Sequence, residues 1–205
     1  MENVDELEIR KFEALAARWW DPNSEFRPLH EINPLRLNFH GANVTAIDMA
    51  DASLSVAKLH QLESGLDINY RKISAEALSE EAPQRFDVVT CLEMLEHVPT
   101  PESVIRACHN LVKPGGTVVF STINRNPKSY VFAILGAEYI LQLLPRGTHE
   151  YARFIKPSEL AAWARGAGLD LNKQIGMGYN PLTKRYFLQK NVDVNYLALY
   201  SRPAL

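Results

Sequence analysis

The sequence predicts an α/β fold with a parallel sheet, and two observations carry that prediction. Phe86–Cys91 is a short apolar, β-branched run entered through a polar segment, the pattern of a strand buried on both faces. Pro101 then opens a helix in which Val104, Ile105, Ala107, Cys108, Leu111 and Val112 recur at helical spacing. Lys113-Pro114-Gly115-Gly116 stops that helix, because proline cannot continue it and glycine accepts the positive φ of a turn. Thr117–Ile123 is the returning strand. Strand, crossover helix and strand make one βαβ unit, and open α/β sheets bind ligands beyond the carboxyl ends of their strands. Glu93, Glu96 and His97 stand at that place.

The whole chain has 205 residues and 46% apolar content, enough for one domain, 1–205, with a sizeable core. A net charge of -2 argues against a nucleic-acid partner. The two cysteines, Cys91 and Cys108, fall on the predicted strand and its helix, which fits a reducing compartment better than a disulfide framework. The amino terminus is acidic and amphipathic rather than a basic, cleavable leader, and no run approaches the ~20 apolar residues of a membrane span. The default location is the cytoplasm.

Before the βαβ unit, Asp5–Trp20 reads as a helix with Leu7, Phe12, Leu15, Ala16 and Trp19 on one side, packed over the sheet and ended by Asp21-Pro22. Asn33-Pro34 opens a second short helix carrying Arg36. Ala52–Ser64 is helical with Gly65 as its stop, Ile68–Ile73 is an edge-like strand, and Glu76 stands at a solvated helix start.

After it, Asn124-Arg125-Asn126 ends the returning strand at the same edge of the sheet. Tyr130–Leu144 is strongly apolar but too short and too interrupted to span a bilayer; flanked by Lys128, Arg146 and Arg153, it can cover the core or lie in a membrane surface. Ile155–Glu159 starts another helix, with Ser158 as a candidate cap and Gly166 or Gly168 as the stop. Leu169–Gly176, Arg185–Leu188 and Val194–Tyr200 read as the remaining strands, the last pair antiparallel. Tyr179-Asn180-Pro181 borders the substrate or is simply a turn.

Glu93, Glu96 and His97 have i, i+3 and i, i+4 spacing, so a helical turn over 92–98 would put all three on one face. Two chemistries are open. His97, which titrates near neutral pH, can take a proton from a nucleophilic oxygen. Alternatively two carboxylates and an imidazole can hold a divalent ion that lowers the pKa of that oxygen. A structural role for His97 stands beside both.

The run VTCLEMLEHVP, followed by LVKPGG and VVFSTINRN, resembles the class I S-adenosylmethionine-dependent methyltransferases, and within them the ubiquinone-biosynthesis O-methyltransferases. KFEALAARWWDPNSEFRPLHEINPLRL, GAEYILQLLPRGTHEY and GYNPLTKRYFLQKNVDVNYLALYSRP extend the likeness over nearly the whole chain. The resemblance implies a Rossmann-like fold with a mostly parallel sheet, helices on both faces and an antiparallel C-terminal strand. Its parts would be 1–40, N-terminal helices; 41–123, the cofactor-binding core; 124–156, an apolar lid or membrane-surface insertion; and 157–205, the C-terminal helix and strands. It implies S-adenosylmethionine as cofactor, with Arg36 of PLRL on the methionine carboxylate, Asp48 on the ribose hydroxyls and Leu92 against the adenine. It assigns Glu93, Glu96 and His97 to Mg2+ or another divalent ion. It implies O-methylation of a polyprenylated phenol or quinol, at the inner face of the membrane and in company with a ubiquinone-biosynthesis complex, with Glu93 and His97 in catalysis.

The likeness has one gap. After Leu37-Asn38-Phe39-His40 the chain passes directly to Gly41–Asp48, which resembles the family's second strand; the first strand, glycine-rich loop and first helix, on the order of 30 residues, have no counterpart. The run Gly176-Met177-Gly178 is a GxG, but it comes too late in the chain to replace the loop. Two outcomes are open for the sheet. Either the strand ending at Asp48 and the strand ending at Cys91 each keep an unpaired edge, or they close up by one strand spacing of ~4.8 Å and pair with each other. The functional alternative is a catalytically impaired or non-catalytic membrane-surface or assembly protein derived from the enzyme.

Overall fold

The computed structural model describes residues 3–21, 24, 26–27, 30–31, 41–130, 150–180, 183 and 185–204. These form two compact units, 1–75 and 76–205, each with its own sheet. Arg36 and nearly all of the apolar run after Tyr130 lie outside the described residues.

In the first unit, helix α1 spans Glu6–Leu15 and continues as a 3-10 turn, Ala16–Arg18. Asp5 caps it, its carboxylate accepting from the amides of Leu7 and Glu8. The expected apolar face is shifted: Leu7 is 68% exposed while Glu8 is buried and paired with Lys11 Nζ at 2.7 Å. Glu8, Phe12, Ala16 and Trp19 set the inner face, and Leu7 falls a position off it. Strand β1, Val44–Asp48, leads into helix α2, Asp51–Ser64, which stops at Gly65 with φ +67 as its sequence predicts. Strand β2, Ile68–Lys72, pairs with β1 in parallel, Val44 opposite Ile68 and Asp48 opposite Lys72.

Helix α3, Ala75–Glu81, carries Glu76 in its first turn. The second unit's sheet contains β3, Phe86–Leu92; β4, Val112–Ile123; β5, Asp170–Asn180; β6, Arg185–Gln189; and β7, Asn195–Ser201. Their spatial order is β3-β4-β7-β5-β6. Helix α4, Pro101–Leu111, joins β3 to its parallel neighbour β4 and buries the predicted Val104, Ile105, Ala107, Cys108 and Leu111. The β4–β7, β7–β5 and β5–β6 ladders are antiparallel, a larger antiparallel share than one C-terminal strand. β7 does not lie beside β6; it inserts between β4 and β5.

Lys113–Gly116 is a bulge inside β4 rather than a turn before it. Phe86 pairs with Val112, the register then shifts, and Val88 pairs with Thr117. Gly115 supplies φ +78, and a Cβ on Gly116 would stand 2.8 Å from the Asp87 carbonyl oxygen. Helix α5, Pro157–Gly166, starts with proline in its first turn, and Glu159 accepts the Lys156 amide at 2.9 Å; Ser158, inside the helix, is not the cap.

The core of this unit lies on β4 and β7. Phe120, Val118, Tyr196, Ala198 and Tyr200 are fully buried, and Phe120 meets Tyr200 edge to face at 5.8 Å. The expectation that β3 is buried on both faces is not met: Asp87, Val88 and Thr90 are exposed, and among the described residues β3 pairs on one side only, with β4. Among the described residues β1 likewise pairs on one side only, with β2. Of the two outcomes open for the sheet, pairing of the strand ending at Asp48 with the strand ending at Cys91 is not found among the described residues. Among the described residues no helix is long and apolar enough to cross a membrane.

Candidate functional site

The carboxyl end of β3 is closed by a backbone reversal at Glu93. Its φ is +51, a left-handed conformation uncommon outside glycine, and its amide donates to the Ser121 carbonyl at 3.0 Å. Such strain, about 1 to 3 kcal/mol, persists only where the surroundings over-determine it. The expected helical turn over 92–98 is therefore absent. Leu92 still belongs to β3 opposite Ser121, Glu93 turns the chain, and only Leu95–His97 forms a 3-10 turn. Glu93, Glu96 and His97 do not share one helical face.

Each carboxyl is held from β4. Ser121 Oγ donates to Glu93 Oε1 at 2.8 Å, and Thr122 Oγ1 to Glu96 Oε2 at 2.9 Å; both hydroxyl residues are fully buried. Asn195, at the first position of β7, donates from Nδ2 to Glu93 Oε1 at 3.3 Å. β7 runs antiparallel to β4, so its amino end arrives where β3 and β4 end. Residues 102 apart in sequence meet for that reason.

Glu96 is 4% exposed. Burial pushes its pKa up to about 8, and the neighbouring Glu93 charge acts in the same direction, against its backbone bond and Thr122. At neutral pH the proton is predominantly on Glu96. Its Oε1 is buried without a hydrogen-bond partner. Among the described residues no group of three or more His, Cys, Asp or Glu side chains is gathered as a metal ion needs.

Glu96 also borders a pocket of ≈ 220 Å³ beside the 3-10 turn, with Val98, Arg125, Arg153, Phe154 and Trp163 in its wall. Arg125 pins that wall, donating to the Ala152 and Phe154 carbonyls and to the Glu159 carboxylate. Tyr130 is 42% exposed and meets Tyr151 edge to face at 5.5 Å, which in turn meets Phe154. Tyr179 and Asn180 belong to β5, where Tyr179 packs on Tyr186 at 4.8 Å; they are not in a turn. Cys91 and Cys108 are buried free thiols, and a hydrogen bond from the Cys91 thiol to Cys108 together with burial pushes the Cys91 thiol upward.

In the first unit Asp48 ends β1 as an exposed carboxylate whose Oδ1 accepts the Ala50 amide at 2.8 Å. Partial desolvation raises its pKa, opposed by the amides of Ala50 and Met49. Ser121, Thr122 and Asn195 were not picked out by the sequence reading. Asn195 carries a weak signal, a polar residue placed directly before the apolar run Tyr196–Tyr200, but nothing in the sequence names its partner.

A methyltransferase-domain family model matches residues 14–174. A ubiquinone biosynthesis O-methyltransferase of Pseudomonas aeruginosa is 60% identical over 232 aligned positions that cover all of both chains. This chain has 205 residues, so 27 of those positions have no counterpart in it. A protein of the same name from Stutzerimonas stutzeri is 62% identical, covering 96% of this chain and 97% of its own. Among solved structures, a SAM-dependent methyltransferase of Thermotoga maritima matches with TM-score 0.65 at 14% identity, covering 96% of this chain and 99% of that one. A Pyrococcus horikoshii protein matches with TM-score 0.64 at 12% identity, covering 94% and 98%. These structural likenesses speak to the fold alone. The curated relatives are named as enzymes, and the non-catalytic alternative finds no support among them.

Proposed function

This chain belongs to the ubiquinone biosynthesis O-methyltransferase family, and on that premise we propose that it transfers a methyl group from S-adenosylmethionine to a phenolic oxygen of a polyprenylated ubiquinone precursor. The 60% identity to a relative of that name, running from end to end of both chains, carries the reading.

S-adenosylmethionine supplies an electrophilic methyl group on a sulfonium. Asp48, an exposed carboxylate oriented by the Ala50 amide, suits the paired hydroxyls of a ribose. Arg36 takes the carboxylate of the methionine moiety, for which a guanidinium fork is well shaped. Leu92, at the carboxyl end of β3, gives an apolar contact to the adenine. A phenol is a poor nucleophile until it loses its proton, and His97, in the 3-10 turn, is the residue to take it. Glu93, held by Ser121 and Asn195, fixes a negative charge beside that turn and favours the imidazolium that results. Tyr130–Leu144 is the segment to collect a lipid-borne substrate from a membrane surface; the exposed ring of Tyr130 supports this.

Incubating the chain with S-adenosylmethionine and a prenylated catechol, and weighing the product by mass spectrometry, tests the proposal. One added methyl group is expected, lost in Asp48→Ala. A cooperatively folded sample that gives no methylated product overturns it.

A further inference from the structure

We propose that Asn195 is a positioning residue for Glu93, seated for that task by a loop that Gly176 admits. This rests on the methyltransferase reading above.

The first observation is an imbalance. The Oδ1 of Asn195 is buried without a partner, and the hydrogen bond its side chain makes among the described residues is the one from Nδ2 to Glu93. Only the amide nitrogen can donate to a carboxylate, so the orientation is fixed by that partner. A buried unsatisfied amide oxygen costs about 1 to 3 kcal/mol. The three residues that follow it in β7, Tyr196, Leu197 and Ala198, are apolar and buried. An apolar residue at 195 would avoid the cost, so stability does not account for the asparagine. Holding Glu93 does, and Glu93 needs holding because its backbone is left-handed.

The second observation is the seat. Asn195 is paired on both sides, opposite Ile123 of β4 and Met177 of β5. The loop before it is tied to the residues that follow β4. Asn124 donates from its amide to the Val194 carbonyl at 2.8 Å and from Nδ2 to the Val192 carbonyl at 3.0 Å. Asn126 Nδ2 reaches the Asp193 carbonyl at 2.5 Å, and Lys128 pairs with the Asp193 carboxylate at 2.8 Å. The loop lies flat on β5 because position 176 has no side chain: a Cβ there would stand 1.6 Å from the Asn191 carbonyl oxygen. The Gly176-Met177-Gly178 run is thus no cofactor loop. Its first glycine admits the loop that delivers Asn195, and its second makes room for the Phe187 ring, 2.6 Å from its ideal Cβ.

The test compares Asn195→Ala with Asn195→Asp. If Asn195 only fills space, the near-isosteric aspartate is the milder change. If it holds a carboxylate, the aspartate is the worse one, since it sets a second negative charge against Glu93. The expected result is a fall in kcat of about tenfold to a hundredfold for alanine and a further several-fold for aspartate, with substrate KM nearly unchanged. Aspartate that performs as well as alanine, or losses confined to KM, overturns the inference. A readout without turnover accompanies it: in Glu93→Gln with Asn195→Asp the donor and acceptor are exchanged, so the double variant is expected to unfold at higher urea than Asn195→Asp alone. No such rescue overturns the contact. Rescue among the variants together with no turnover by the unsubstituted chain instead overturns the methyltransferase reading.

Discussion

β1 and β4 are both strands of the sequence's α/β pattern, yet their surroundings differ. β4 lies between β3 and β7, and its Val118, Phe120, Ser121, Thr122 and Ile123 are buried. β1 pairs with β2 alone among the described residues, and none of its five residues is buried. Helix α2 beside it leaves Leu59 and Leu62 62% and 81% exposed. An apolar strand acquires its stabilisation only when both faces and both edges are covered, so equal sequence character gives unequal burial. The lesson extends to chemistry. The strained Glu93 turn is tolerable because β4 and β7 hold it, while Asp48 depends on the local amides of Ala50 and Met49.

The contrast can be broken at its strongest point first. Phe120→Ala, fully buried in β4, is expected to cost about 3 to 5 kcal/mol, while Ile47→Ala in half-buried β1 costs about 1 to 2 kcal/mol. Urea unfolding of the two variants checks it, and equal losses would refute the contrast.

A change of pH sharpens it next. Glu96 has a folded pKa of about 8, raised above its ordinary 4.5, so the fold binds this proton more tightly than the unfolded chain does. Its stabilising contribution is complete below about pH 4.5 and is lost as pH rises through about 8. The slope across that window is at most about 1.4 kcal/mol per pH unit. Glu96→Gln, which carries a permanent donor, should flatten that part of the stability profile measured by unfolding at several pH values. An unchanged slope would remove Glu96 as its source.

The smallest effect on folding is expected from Asp48→Ala. Loss of the bond to the Ala50 amide costs about 0.5 to 1.5 kcal/mol. Calorimetric titration with S-adenosylhomocysteine should nevertheless show at least about tenfold weaker binding, because hydrogen bonds to a charged group contribute about 1.5 to 3 kcal/mol. Unchanged affinity would take Asp48 out of the cofactor site.

Much of the fold was legible from local chemistry. The periodicity of Val104–Leu111, the stop at Gly65 and the β-branched run at Phe86 fix their elements because each depends on neighbours a few residues away. The acidic turn after β3 was also legible as a place, since a βαβ unit brings its strand ends to one edge. What its residues do there was not. The reversal at Glu93 replaces the helical turn that the spacing suggested, and it is set by hydrogen bonds from β4 and β7. The proton on Glu96 follows from burial among residues that share no sequence neighbourhood with it. Sequence by itself determined the elements, their order and the family, because propensity, capping and motif are short-range. Only the tertiary structure decided that β7 would enter between β4 and β5 and carry Asn195 to Glu93. Strand order is a global choice of buried surface and hydrogen-bond pairing, and no local pattern encodes it.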